Sequence, residues 1–197
     1  MKLWLATQNP HKVEEISDIL GDEFRLKSLL DLPDFPEIDE NGISYLENAA
    51  IKARQLWKQV REPVFADDSG LEVDFLNGRP GILSSRYSAP NPTHSKNIDK
   101  LLEELKNVPA EKRTARFRCV VVYIDVQGRE KSFEGILEGK IGFQRKGNGG
   151  FGFDPVFCLC ENGYTLAELP SEEKNNLSHR GNAVKALRDY LKNQKNS

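Results

Sequence analysis

Two adjacent carboxylates, Asp67 and Asp68, follow the short apolar run 64–66 and lead into Ser69-Gly70. Paired carboxylates at a strand end, with a glycine to turn the chain, supply hard oxygen donors of the kind that hold Mg²⁺. Neighbours in a strand point to opposite faces, so one carboxylate is expected to face an ion and the other to brace the loop. The same four residues also fit a plain Asx turn between two strands. Upstream, the loop 31–42 carries Asp39 and Glu40, which read either as a further metal ligand or as ordinary solvated charges. The helix after it bears Glu47, whose spacing from Ser44 marks a capping box, and Lys52, either a cation of the site or a solvated lysine.

Three further groups have chemical potential. Thr7-Gln8-Asn9-Pro10-His11-Lys12 joins a strand to a helix. A helix N-terminus offers unpaired N–H groups and the positive end of its dipole, which suits a phosphate, and Lys12 adds a full charge on the first turn. An ordinary capped helix would look the same, and no Walker loop occurs. Gly149-Gly150-Phe151-Gly152-Phe153-Asp154-Pro155 combines close backbone approach with flat aromatic faces for stacking and a carboxylate that accepts from ring nitrogens. A tight turn with core phenylalanines fits equally. Lys174 and Ser178-His179-Arg180 gather donors able to read a ring carbonyl or neutralise phosphate. Nothing in context suggests a Ser-His-Asp triad or a cysteine nucleophile.

These groups need elements to position them. Residues 3–6 read as a buried strand, and Asn9 caps a helix that Gly21 ends. Residues 24–29 form a second strand. The Ser44 box starts a helix running to about Val60, and a brief strand 64–66 stops at Asp67 before 71–75 resumes. Residues 77–93 make a long Gly/Pro/Ser-rich loop of a kind that is usually functional, and 98–105 are helical. Residues 117–126 and 131–143 form a long hairpin around Gln127-Gly128. Residues 156–160 give another strand, and 169–191 a helical region broken near Ser178-His179-Arg180. Early helix–strand alternation followed by a hairpin predicts a mixed α/β sheet.

The 197 residues suit one domain or a compact two-lobed unit. With 38% hydrophobic residues the chain can build a core, which excludes wholesale disorder. Lys and Arg number 28 against 30 Asp and Glu, so no global charge attracts nucleic acid or an anionic membrane. Any polyanion must be held by local cations. No apolar run is long enough to span a membrane and no secretory leader is recognisable. The three cysteines, Cys119, Cys158 and Cys160, fit neither a disulfide framework nor a zinc site. They read as small buried hydrophobes, and the chain as cytoplasmic.

Taken in order, Thr7-x-Asn9-x-x-Lys12, Glu47-Asn48-Ala49-x-x-Lys52-Ala53, Asp67-Asp68-Ser69-Gly70-Leu71, Gly78-x-Pro80-Gly81-x-x-Ser84-x-Arg86-Tyr87, residues 149–155 and Ser178-His179-Arg180-Gly181 form one pattern. It resembles the inosine triphosphate pyrophosphatase family, over essentially the whole chain. Phe153 stands where many members have Tyr, and Thr7-Gln8 where many have Ser or Thr with Gly. The resemblance implies a single two-lobed α/β domain over 1–197, with an elongated mixed sheet flanked by helices and the nucleotide in a cleft between lobes. It implies a homodimer that uses Mg²⁺ to hydrolyse ITP, dITP and XTP to the monophosphate and pyrophosphate. By the same resemblance Thr7, Gln8, Asn9, Pro10, His11 and Lys12 form the triphosphate loop and Lys52 reaches the phosphates. Asp68 is metal ligand and general base, Ser69 contacts substrate, and Glu40 or Asp39 is a further ligand. Phe151, Gly152, Phe153, Asp154, Lys174, His179 and Arg180 surround the base. Alternatives are a pyrophosphatase for other modified nucleotides, a non-catalytic purine nucleotide sensor and, disfavoured by charge, a nucleic-acid binder.

Overall fold

The computed structural model describes residues 1–160 and 163–195. In chain order the elements are β1 (Lys2–Leu5), α1 (Pro10–Leu20), β2 (Arg25–Ser28), α2 (Tyr45–Val60), β3 (Val64–Val73), α3 (His94–Glu104), β4 (Thr114–Ile124), β5 (Glu130–Ile141), β6 (Phe157–Leu159), α4 (Ser171–Leu177) and α5 (His179–Lys195). The strands form one six-stranded sheet in the order β2-β1-β3-β4-β5-β6. It is mixed: β1 pairs in parallel with β2 and β3, whereas β5 and β6 are antiparallel. The α/β class with a mixed sheet is as expected.

The chain divides into two compact units, one of Met1–Asp68, Cys119–Gly135 and the stretch from His179 onward, the other of Ser69–Arg118 and Ile136–Ser178. In the first unit strand alternation sorts the core into two layers. Leu3, Leu5, Phe65, Cys119, Val121 and Tyr123 meet Ile16 and Ile19 of α1 and Ala183, Val184 and Leu187 of α5. The alternate residues Trp4, Ala6, Val64, Ala66, Val122 and Ile124 meet Ala49, Ala53 and Leu56 of α2. Small alanines on α2 let that helix lie close to the sheet. The second unit packs Ile98 and Leu101 of α3, and Leu105 at its C-terminal cap, with Leu71, Val73, Phe117, Ile141 and Phe157.

Local signals placed most elements. Asn9 caps α1 by accepting from the His11 N–H, with Pro10 in the first turn. Ser44 caps α2 by accepting from the Glu47 N–H at 3.2 Å, but Glu47 Oε2 accepts from the Ile43 N–H at 2.8 Å, one residue before the cap. Ser178 separates α4 from α5, so the helical region breaks where expected.

Three expectations need correction. Asp67-Asp68-Ser69-Gly70 is neither a strand end nor a turn, because β3 runs through it without interruption. Cations from three helices neutralise both carboxylates in place, so the aspartates have no need of a solvated turn, and Leu71 and Val73 continue the apolar pattern. The loop 77–93 is partly organised, with a 3₁₀ helix over Gly81–Arg86 whose Ser84 hydroxyl accepts from the Leu71 N–H at 2.8 Å. Cys158 and Cys160 are not buried together: β6 ends at Leu159, leaving Cys158 half-buried and Cys160 exposed, while Cys119 is buried.

Candidate functional site

In the first unit β3 delivers its two aspartates to opposite faces. Asp68 shares a face with Ala66 and meets α2 there. Its Oδ2 accepts from Asn48 Nδ2 at 3.1 Å, and its Oδ1 lies 3.3 Å from Lys52 Nζ. Asn48 and Lys52 are four residues apart, hence neighbours on one side of a helix. Lys52 Nζ also donates to Glu40 Oε2 at 2.9 Å, so the acidic loop contributes Glu40 to this group. Asn48 Oδ1 accepts from the Gly42 N–H at 2.9 Å and pins the end of that loop. Asp39 instead accepts from the Asn41 side chain at 3.3 Å.

Asp67 turns to the other face, toward α1 and α5. Its Oδ2 lies 2.8 Å from Lys12 Nζ and 3.3 Å from Arg180 Nε. Arg180 Nη1 also donates to Glu15, completing a chain Lys12–Asp67–Arg180–Glu15. Asp67 is 1% exposed and Arg180 3%, so this chain is interior. The bracing carboxylate is therefore Asp67, and it braces two helices through Lys12 and Arg180 rather than the expected loop.

The two environments push the aspartates apart. Burial works to raise the Asp67 carboxyl, but Lys12, Arg180 and Lys52 outweigh it and hold the group well below the usual carboxylate range. For Asp68 burial prevails, against the opposing pull of Lys52 and Lys12 and with help from Glu40, and the group is raised. Burial alone would lower Lys52; Asp68, Asp67 and Glu40 reverse that and raise it. Neighbouring carboxyls with diverging proton affinity are a recurring arrangement where one must stay a fixed charge and the other handle protons.

The N-terminal loop supplies the remaining predicted residues of this unit. Thr7 Oγ1 accepts from the Asn9 N–H at 3.2 Å, and Asn9 Oδ1 from the His11 N–H at 3.0 Å, with Gln8, Pro10 and His11 exposed. His179 begins α5 and is buried. Behind the site, burial and then Asp67 push the Cys119 thiol up to about 12, against Arg180 and Lys12.

In the second unit the glycine-rich segment is held by one carboxylate. Asp154 Oδ2 accepts from the Phe151 N–H at 2.9 Å and from Lys174 Nζ at 2.7 Å. Lys174 Nζ stands 5.0 Å from the Phe151 ring centroid. Gly150 has φ +67°, and a Cβ there would lie 2.1 Å from Asp154 Oδ2, so only glycine fits. Phe153 is a core residue, 3% exposed, and Gly152 and Phe151 are half-buried. Ser69, half-buried, is the first residue of this unit.

Sequence reasoning missed two participants, Asn48 and Glu15. Asn48 had a signal in its four-residue spacing from Lys52. Glu15 lies three residues after Lys12 on the same helix, but its partner Arg180 is 165 residues away.

The chain matches the Ham1 family model over residues 3–190 and belongs to that family. It is 48% identical over 193 residues to the dITP/XTP pyrophosphatase of Halalkalibacterium halodurans, covering 97% of this chain and 100% of that one. To the dITP/XTP pyrophosphatase of Geobacter sulfurreducens it is 48% identical over 191 residues, 96% of each chain. Among solved structures it superposes on a HAM1 protein from Coxiella burnetii with a TM-score of 0.88 at 38% identity, covering 98% of this chain and 99% of that one. The Staphylococcus aureus Ham1 protein gives a TM-score of 0.87 at 35% identity, with 98% and 100% coverage.

Proposed function

We propose that this chain hydrolyses the non-standard purine nucleoside triphosphates ITP, dITP and XTP to the monophosphate and pyrophosphate, clearing them from the nucleotide pool. The observation that carries the reading is the cluster of Asp68, Asn48, Lys52 and Glu40, set in a chain 48% identical to dITP/XTP pyrophosphatases.

Among the described residues no group of three His, Cys, Asp or Glu side chains is gathered for a metal ion. Two carboxylate oxygens nevertheless converge on one point, Lys52 Nζ, at 2.9 and 3.3 Å. Mg²⁺ commonly takes one or two carboxylates and completes its shell with water and substrate phosphates, so this donor set fits Mg²⁺, with Asp68 and Glu40 as its ligands. When bound, the ion supplies positive charge against the phosphate oxygens and acidifies nearby water. Asp39 is the weaker candidate, since its carboxylate accepts from the Asn41 side chain.

Phosphoryl transfer needs positioning and charge stabilisation more than covalent help. The N–H groups at the start of α1, with Thr7 to Lys12, take the triphosphate, and Lys52 neutralises its oxygens. Asp68 orients the attacking water and accepts its proton, a role that suits a carboxyl raised by burial. Ser69 contacts the substrate. Phe151 to Asp154, Lys174, His179 and Arg180 read the base, where donors favour a 6-oxo purine over an amino one. Arg180 does so while held by Glu15 and Asp67, which fixes its orientation.

We further propose that the protein is a cytoplasmic homodimer with no membrane or nucleic-acid partner. The family resemblance supports the dimer. Near-balanced charge supports the reading without a nucleic-acid partner. Among the described residues no helix is long and apolar enough to cross a membrane. Turnover of ITP, dITP and ATP with Mg²⁺ is the test, with pyrophosphate and orthophosphate detected separately. The expected result is pyrophosphate from ITP and dITP and little from ATP; equal use of all three, or orthophosphate as first product, overturns it.

A further inference from the structure

The glycine-rich segment 149–155 is tied to the first turn of α3 by a bond outside the roles assigned so far. The Gly152 N–H donates to His94 Nδ1 at 2.7 Å, and the His94 ring lies 6.1 Å from that of Phe151, tilted by 52°. His94 is the first residue of α3, just after its cap Thr93. The same turn holds the near side of this loop: Arg145 Nη2 donates to the Ser95 carbonyl at 2.9 Å and to Asp99 at 2.8 Å. On its remaining flank the Gly149 N–H donates to the Ala167 carbonyl at 3.0 Å. Among the fastenings of residues 145–152, His94 is the one on the Gly152 N–H, next to Phe151.

The acceptor matters because of where Gly152 stands. It lies between Phe151, whose N–H is taken by Asp154, and the buried Phe153. Its φ of +64° lies in the left-handed region, where glycine gives no steric preference of its own. The Phe151–Gly152 peptide is therefore held from both sides, its N–H by His94 and its carbonyl by the Asp154 N–H at 3.3 Å, and with it the backbone that carries the Phe151 ring.

We propose that His94 is a positioning residue for purine recognition, acting through Gly152 to hold Phe151 and Asp154 in place to receive the base. The proposal rests on the reading that these two residues contact the base. The bond makes Nδ1 of the ring the acceptor for the Gly152 N–H.

The test compares His94→Ala with His94→Asn, whose Oδ1 occupies about the place of the imidazole Nδ1. His94→Ala should raise the KM for dITP by about 3- to 10-fold, the loss of one hydrogen bond of ordinary strength, with kcat changed by less than about 2-fold. His94→Asn should restore most of it. The Gly152 amide resonance, read by NMR in the free protein, should move in His94→Ala and not in His94→Asn. An unchanged KM and amide shift in His94→Ala, or no rescue by His94→Asn, overturns the proposal. A moved amide shift with no dITP hydrolysis by the wild type overturns the base-binding role and the functional reading, while a wild type that hydrolyses dITP beside an unaffected His94→Ala overturns only the inference about His94.

Discussion

Asp67 and Asp68 are consecutive residues of one strand, yet their ion pairs run to different helices on opposite faces of the sheet. Asp68 is held by Asn48 and Lys52 of α2, Asp67 by Lys12 of α1 and Arg180 of α5. The two-residue period of a strand does this without any turn. One peptide bond therefore separates the carboxyl proposed to work from the carboxyl that holds.

Replacing the working one should stop chemistry and spare binding. Asp68→Asn keeps the size of the side chain but cannot accept a proton. Its kcat for dITP should fall by about 10²- to 10⁴-fold, with nucleotide affinity by calorimetry still measurable. A fully active variant would remove Asp68 from the mechanism.

Replacing the holding one should cost stability instead. Asp67→Asn leaves the buried Arg180 and the half-buried Lys12 without their shared counter-charge, and breaking a buried pair costs about 3–5 kcal/mol. Glu15 still faces Arg180, so the lower end is expected, read from urea unfolding at neutral pH.

The same group sets an acid dependence. Its carboxyl titrates lower in the folded chain than in the unfolded one, so its stabilisation is complete above about pH 4, the unfolded value. It is lost as pH falls toward the folded value. Wild-type stability should drop more steeply below about pH 4 than that of Asp67→Asn, and parallel curves would contradict the pairing.

Gly135 permits a close approach of β5 to the start of α5. A Cβ there would lie 2.1 Å from the His179 carbonyl oxygen and 2.7 Å from the Ala183 nitrogen. Gly135→Ala must displace α5 where His179 and Arg180 begin. Expected are a loss of about 1–3 kcal/mol in thermal or urea unfolding and a fall in kcat/KM for dITP, both absent if the helix can yield freely.

Thiol reactivity should rank the cysteines. With Cys119 pushed up to about 12 and buried, a thiol reagent at mildly alkaline pH should label Cys160 first and Cys158 more slowly. Cys119 should react only after unfolding.

What could be read from residue order was local. The Asn9 cap, the Ser178 break and the hairpin each depend on a few neighbouring residues, and each lies where its signal stands. The ion pairs that organise the carboxylates span 113 residues from Asp67 to Arg180 and 165 from Glu15 to Arg180, and no local signal reports them. The missed continuity of β3 has the same root. Asp-Asp-Ser-Gly is turn chemistry until distant cations neutralise it, and those cations come from α1, α2 and α5. Glu40 and Asp39 were indistinguishable in sequence because nothing in the loop shows which of them lies within reach of Lys52.

The buried charges around β3 carry one more consequence. Fully ionised, Lys12, Lys52 and Arg180 face Glu15, Glu40, Asp67 and Asp68, so three positive groups oppose four negative ones. The cluster is left one elementary charge on the anionic side. If Mg²⁺ binds there as proposed, its two charges turn the balance from one negative to one positive. The cation then decides whether this cluster repels a polyphosphate or draws it in.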